Sequence, residues 1–330
     1  MNTLADWERY IETLAPPNHV ELGLERVGQV WNLLTQVAPK QVITVAGTNG
    51  KGSAVEAAGV LAKAQGLAYG QYTSPHIYAI QERVRVDGTQ ASDHELVKAF
   101  EMVESARGSI FLTYFEFLTL AAFVIFERRD LDLWILEIGL GGRLDAVNII
   151  DPSVSIITSI GLDHQLFLGD DIESIAREKA GVMRKAIPTL TAATNVRDVL
   201  EAEALTHEAQ LVWLDTALKN GKLNISASGE QIDLSGMQLP RDSVALACLA
   251  FRCLGYTVTQ GIEKSLSRVT LPGRLSRYRA SGRSWIMDVG HNPSACKFVT
   301  DTLAQSIPED RRVVVFGTLA DKDIRAMLLV

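Results

Sequence analysis

Apolar residues along this chain recur at two spacings, and the alternation between them predicts its elements. Over residues 3–14, and again through Val27, Val30, Leu33, Leu34 and Val37, they return every three to four positions. That predicts two amphipathic helices, separated by the break Ala15-Pro16-Pro17-Asn18-His19. Residues 41–46 form a β-branched run, and Leu67–Tyr72, Leu133–Ile138 and Val154–Ile160 read as further strands. Glu82–Val86 alternates and then meets Asp87-Gly88, predicting a short strand and a turn. Ser92-Asp93-His94-Glu95 and Thr113-Tyr114-Phe115-Glu116 are capping boxes that open helices to about Arg107 and Arg128. Asp171 caps a helix to about Lys185, and Pro188–Leu190 begins another strand. Strands alternating with helices predict an α/β domain with a mainly parallel sheet.

Past residue 210 the pattern changes. Leu211–Leu214, Leu223–Ile225 and Ile232–Leu234 are short alternating pieces separated by Gly221 and Gly229, which predicts a small antiparallel excursion. An alanine- and leucine-rich helix spans about 242–254. Leu271-Pro272-Gly273-Arg274 marks a domain boundary. Strands at Trp285–Val289 and Val313–Phe316 then flank a helix near 294–305 and start a second α/β unit. The expected division is residues 1–272 and 273–330. Only 57 residues follow Gly273, against at least ~100 for an ordinary domain, so the second unit is expected to be incomplete.

Composition narrows the class. The 330 residues are 47% hydrophobic and 22% charged, enough for two domains with a sizeable core. A formal net charge of −7 disfavours a dominant role on nucleic acid or acidic membranes. Cys248, Cys253 and Cys296 show no metal or disulfide spacing, and the first two read as core residues. The charged N-terminus is no signal peptide, and no apolar run is long enough to span a bilayer. A soluble cytoplasmic protein is expected, with no nucleic-acid or membrane partner.

The run Val42–Ala46 leads into Gly47-Thr48-Asn49-Gly50-Lys51-Gly52-Ser53 and then a helical pattern. Strand, glycine turn and helix form the layout of a phosphate loop, in which converging backbone N–H groups and a helix start receive an anion. Lys51 would reach terminal phosphates and Ser53 a metal ion. The general rule G-x-x-x-x-G-K-[ST] would place a glycine at Val45 and a hydroxyl at Gly52, so a tight strand-to-helix connection is the competing reading.

Other unusual residues sit where strands end, which is where ligands bind in open α/β sheets. Glu137 closes an apolar strand, Ser74 follows the second strand, and Asp163 and His164 follow a later one. A hydroxyl, a carboxylate and an imidazole beside a phosphate loop suit Mg²⁺, although His164 equally reads as a loop histidine. A buried carboxylate such as Glu137 should be paired or metal-bound. Lys179 falls within the apolar stripe Ile172, Ile175, Ala176, Val182 and Met183. Two readings stand: a snorkelling stem, or a buried amine of lowered pKa able to take up CO₂ as a carbamate. Glu116 is explained as the partner of Thr113 in the capping box. Asp288 and His291 could contact ribose or phosphate across a cleft, or belong to an ordinary turn. Arg274 is a phosphate clamp or an exposed linker arginine.

Taken in order, these segments resemble the folylpolyglutamate synthase / dihydrofolate synthase family of the Mur ligase superfamily. The carriers are Gly47–Ser53, Thr73-Ser74-Pro75-His76, Glu82–Arg85, Glu137–Asn148, Asp163-His164, Arg177–Gly181, Leu271–Arg274, Asp288–Pro293 and Asp321-Lys322-Asp323. GTNGKGS is this family's own form of the phosphate loop. The resemblance implies a phosphate-loop Mur ligase-like domain (1–272) followed by the start of a Rossmann-like glutamate-ligase domain (273–330). It implies an ATP-dependent amide ligase that activates a carboxylate as an acyl phosphate for attack by L-glutamate.

By the same resemblance, Gly47, Thr48, Asn49, Gly50, Lys51, Gly52 and Ser53 hold ATP phosphates, with Arg274, Asp288 and His291 contacting ATP. Ser74, Glu137 and His164 match Mg²⁺ ligands, and Lys179 matches a carbamylated lysine. Lys51, Lys179 and His164 are thereby the catalytic candidates. Glu21, Leu22, Gly23 and Leu24 resemble a pterin-site segment, which favours dihydropteroate as a substrate alongside tetrahydrofolate. A monovalent cation is a further candidate cofactor, and a monomer is implied. Arg241-Asp242-Ser243 stands where the family usually has an asparagine, so adenine contacts are not assigned. The alternatives are a folylpolyglutamate synthase without the second activity, a cell-wall Mur ligase, and a nucleotide-binding module without ligase activity.

Overall fold

The computed structural model describes residues 1, 3–34, 37–225, 230–259, 261–304, 307–308, 311–319 and 322–330. Gly229 and Asp321 lie outside the described residues. Helices α1 (Leu4–Leu14) and α2 (Glu25–Leu34) precede β1 (Val42–Ala46), which passes through the glycine turn into α3 (Lys51–Ala64). Strands β2 (Tyr69–Tyr72), β3 (Val84–Val86) and β4 (Thr89–Gln90) follow, then α4 (Asp93–Arg107), α5 (Tyr114–Arg128) and β5 (Leu133–Glu137). Next come β6 (Val154–Ile157), α6 (Gln165–Leu168), α7 (Ile172–Ala180), β7 (Pro188–Thr191), α8 (Arg197–Thr206) and β8 (Gln210–Trp213).

These strands form one eight-stranded sheet in the order β4-β3-β2-β5-β1-β6-β7-β8. Six of them, β2 to β8 across the sheet, run parallel, and β3 and β4 add an antiparallel edge. β1 lies at the centre, pairing Val45 with Glu137 of β5 and Ala46 with Ile157 of β6. From β1 the chain builds β2 to β5 on one side and then crosses to β6 on the other, so the carboxyl end of β1 opens on a crevice.

Strand alternation splits the core into two layers. Val42, Ala46, Trp134 and Leu136 face the cluster built by α1, α2, α4 and α5, where Trp7, Phe100 and Phe117 stack on one another. Ile43, Val45, Leu133 and Ile135 face α3 and α9 (Arg241–Cys253). The capping boxes at Ser92 and Thr113 form as their sequences predict.

Beyond β8 come a three-stranded antiparallel sheet of β9 (Leu218–Lys219), β10 (Lys222–Asn224) and β11 (Gln231–Asp233), then α9 and the short α10 (Glu263–Leu266). Strands β12 (Ser276–Ala280) and β13 (Arg283–Met287) pair antiparallel, followed by α11 (Pro293–Ala304) and α12 (Ile324–Leu328). No helix among the described residues is long and apolar enough to cross a membrane.

Several elements differ from expectation. Leu211–Leu214 is not part of the antiparallel excursion: Gln210–Trp213 pairs parallel with β7 at the edge of the main sheet. The intervening helix α8 went unpredicted, because only Leu200 and Ala204 of its ten residues are buried. The helix from Asp171 stops at Ala180, since the Gly181 carbonyl is taken by the Asn148 amide instead of continuing the helix. Val313–Phe316 is not a strand, because no described segment pairs with its backbone, and Val313–Val315 are 80–92% exposed. Cys253 is exposed, unlike Cys248. Five residues along a helix turn the side chain by about 140°, away from the core stripe.

Candidate active site

The glycine turn after β1 is fastened from behind. Thr48 N–H donates to Ser159 O at 2.7 Å and Asn49 N–H to Ser159 Oγ at 3.0 Å, both just past β6. Thr158 Oγ1 donates to Asn49 O at 2.7 Å, and Ser243 Oγ, on the first turn of α9, donates to Gly50 O at 3.1 Å. Gly50 has φ +88°, and a Cβ there would lie 2.6 Å from Ser243 Oγ, so only glycine suits the position. The contact from Ser243 has no signal in the phosphate-loop motif; it comes from the segment where the family pattern is broken.

With its back anchored, the loop presents the start of α3. The first N–H groups of a helix have no intrahelical acceptor, which leaves them to an anion. Ser53 Oγ is buried and finds no partner among the described residues. Lys51 Nζ lies over the loop, donating to Gly47 O at 3.0 Å and Thr48 O at 3.3 Å.

Glu137 ends β5 beside this loop. Its carboxylate accepts Ser74 N–H at 3.2 Å and would lie 3.7 Å from a Cβ on Gly52. Burial raises its pKa, opposed by the charges of Lys51, Arg274 and Arg83 and by the Ser74 amide. A buried carboxylate with one amide donor, at the helix start that also carries the buried Ser53 hydroxyl, fits a divalent cation better than it fits an apolar core.

Lys179 is 5% exposed and reaches inward, its Nζ donating to Gly47 O at 3.0 Å. The snorkelling reading is therefore overturned, since the ammonium end and not only the stem is buried. Desolvation, reinforced by the charge of Lys51, lowers its pKa to about 7, with Asp163 and Asp145 pulling the other way. A large fraction of neutral amine is present at physiological pH. Gly142 makes this packing possible: a Cβ there would sit 2.8 Å from Glu178 O and 2.9 Å from Lys179 O.

His164 stands at the start of α6 with φ +51°. Burial of the ring lowers its pKa to about 4, with Asp163 acting in the opposite sense. The structure brings Ser74 and Glu137 into contact, whereas the charged groups acting on His164 are Asp163, Lys322, Lys51 and His291. Among the described residues, Asp163, His164 and His291 offer ligand atoms within 4.8 Å of one another. Asp163 is held by His291 Nε2 at 3.2 Å, Asn292 Nδ2 at 3.2 Å and Lys322 Nζ at 3.1 Å, and despite burial His291, with the charges of His164 and Lys322, holds its carboxyl far below the usual range. Asn49 of the loop also exchanges hydrogen bonds with Asn292 at 3.0 Å. Residues after 290 thus close directly onto the phosphate loop.

Asp288 spends both carboxylate oxygens on backbone, accepting Leu275 N–H at 2.9 Å and Gly290 N–H at 2.8 Å. Arg274 is exposed, near enough for its charge to act on Glu137. Gly23 N–H donates to Leu144 O at 3.2 Å, tying the Glu21–Leu24 segment to the glycine-rich loop. Arg26 braces that segment, bonding Glu21 Oε1 at 2.5 Å and Glu116 Oε1 at 3.0 Å. Glu116 therefore caps α5, as expected, and also pairs with Arg26, a contact that spans 90 residues and leaves no local pattern. Asp145 was missed as a titratable group. It accepts N–H from Leu140 at 2.8 Å and from Val147 at 2.9 Å, yet burial pushes its carboxyl up to about 7. Two buried acids shifted up and a lysine shifted down around one loop are the electrostatic mark of a functional site.

Comparisons with known proteins show what the chain as a whole is similar to. The profile of the Mur ligase glutamate ligase domain matches residues 273–329. The dihydrofolate synthase/folylpolyglutamate synthase of Escherichia coli K12 is 39% identical over 333 residues, covering 98% of this chain and 78% of that protein. The solved structure of E. coli FolC in complex with DHPP and ADP superposes with a TM-score of 0.92 at 38% identity, over 99% of this chain and 80% of that one. A bifunctional folylpolyglutamate synthase/dihydrofolate synthase with Mn, AMPPNP and L-glutamate bound superposes with a TM-score of 0.89 at 40% identity, over 100% and 81%.

Proposed function

The chain belongs to the folylpolyglutamate synthase / dihydrofolate synthase family, and on that premise we propose that it joins L-glutamate to both dihydropteroate and tetrahydrofolate. The reaction is ATP-dependent amide ligation. A carboxylate oxygen of the acid attacks the γ-phosphorus of ATP, and ADP leaves. The glutamate amine then attacks the acyl carbon, and phosphate leaves with the oxygen that had bridged them. The protein's part is to position these groups and neutralise their charge.

Lys51 and the Gly47–Ser53 amides receive the phosphates. Ser74, Glu137, Ser53 and His164 would hold Mg²⁺, which supplies charge neutralisation at the transferring phosphoryl group. Lys179, whose pKa burial lowers to about 7, is the amine able to carry a carbamate. Arg274 and His291 face ATP from the far side of the loop, and Asp288 shapes the turn that presents them. Glu21, Leu22, Gly23 and Leu24, braced by Arg26, border the pterin. The polypeptide divides at Leu271–Arg274 into an ATP-binding unit (1–272) and a glutamate-ligase unit (273–330), and it acts as a cytoplasmic monomer.

The observation that supports this reading most is the buried carboxylate of Glu137 beside Gly52 at the start of α3, where the next residue, Ser53, has a buried hydroxyl without a partner among the described residues. A coupled assay of ADP release tests it, with dihydropteroate and tetrahydrofolate offered separately. ADP should appear with either acid, and only when ATP and glutamate are also present. Release that ignores omission of the acid would rule out ligation. Release with tetrahydrofolate alone would remove the second activity.

A further inference from the structure

Arg83 is a buried cation without a counter-ion among the described residues. It ends the single turn Ile80–Arg83 before β3, and its carbonyl accepts Thr73 N–H at 3.0 Å, next to Ser74. Only 8% of the residue is exposed. Its Nε donates to His76 Nδ1 at 2.9 Å, and its guanidinium lies over the Tyr114 ring, 5.8 Å from the centroid. Among the described residues no carboxylate lies at ion-pair distance, and besides His76 the guanidinium has the Tyr72 hydroxyl as a hydrogen-bond partner. The contrast is Arg85, two residues on, which pairs directly with Glu56.

A buried charge left unpaired is costly, and a guanidinium fork is matched by a carboxylate in shape and charge. The surroundings locate the missing anion. His76 belongs to the loop whose Ser74 amide binds Glu137, and Tyr114 opens α5 beside Thr113. The charge of Arg83 also acts on Glu137 and, beyond the hydrogen bond between them, on the Tyr72 hydroxyl. The guanidinium therefore stands between the proposed metal and phosphate side of the crevice and the aromatic side.

We propose that Arg83 binds the carboxylate of the acid substrate through Nη1 and Nη2, with His76 fixing the fork at Nε. This rests on the ligase reading above. The acid would then be held at its reacting oxygens and not only at its ring system. The same donors would face the acyl oxygen as it gains negative charge during attack by the amine.

Binding to the ADP–Mg²⁺ form of the enzyme tests this without turnover, using dihydropteroate and its carboxamide. The wild type should prefer the acid over the amide by roughly 10- to 100-fold, the scale of a charge-assisted pair. R83Q should bind the two within about twofold of each other and keep the wild-type affinity for the amide. R83K, which keeps a charge but not the fork, should fall between and serves should R83Q not fold. The proposal is overturned by a wild type that does not discriminate, by a variant that discriminates as the wild type does, or by a variant that loses acid and amide alike. Failure of the ligase reading would appear separately, as absence of ADP release by the wild type with acid, ATP and glutamate.

Discussion

Replacing Lys179 with alanine should slow glutamate-dependent ADP release by roughly 10²- to 10³-fold, the scale of losing one group that organises transition-state charge. Short carboxylic acids in the buffer should restore part of the rate. The reason is geometric as well as electrostatic. Nζ is buried against Gly47 O, within the field of Lys51, and its pKa is lowered to about 7. Only the neutral amine takes up CO₂. At limiting bicarbonate the wild-type rate should therefore rise as pH rises through 7, beyond any change seen at saturating bicarbonate. Wild-type rates in the alanine variant would show that Lys179 only fills space.

The second large effect belongs to Glu137. E137Q keeps the shape and removes the charge, so half-maximal rate should require at least about 100-fold more Mg²⁺. Metal-free stability should move the opposite way. The carboxyl has a raised pKa in the folded state because burial opposes its ionisation. Stability associated with this group is thus fully present below its ordinary value of 4.5 and is lost as pH rises through the folded pKa. E137Q should accordingly melt higher than the wild type at neutral pH, with the gain fading as pH approaches 4.5. Thermal melts across pH, alongside Mg²⁺ titration of the rate, measure both. A variant with unchanged Mg²⁺ dependence would remove Glu137 from the metal site.

The parallel sheet was legible because strands buried on both faces leave continuous apolar runs, as at Val42–Ala46 and Leu133–Leu136. The capping boxes at Ser92 and Thr113 were legible because their chemistry is local. Helix α8 was not, since it buries little and carries a weak period, and β8 could be read as a strand but not assigned to the main sheet, because pairing partners leave no local pattern. Lys179 could be singled out by its place in an apolar stripe, but the stripe could not say which way the amine points. Ser243, Arg26 and Asp163 act through contacts that cross more than 85 residues of sequence, from Ser243 to Gly50, from Arg26 to Glu116 and from Asp163 to Lys322. No spacing rule records such pairs. Glycine at 50 is the converse case. The motif names it, and the reason for it, a positive φ against Ser243, is visible only in three dimensions.

On the proposed mechanism the acid is activated by phosphorylation at its own oxygen, beside Lys51, Glu137 and Lys179. Labelling both carboxylate oxygens of dihydropteroate with ¹⁸O and running the full reaction with ATP and glutamate tests it most directly, by mass analysis of the released phosphate. One ¹⁸O should appear in each phosphate, and one should stay in the amide. Unlabelled phosphate formed together with the amide product would contradict it.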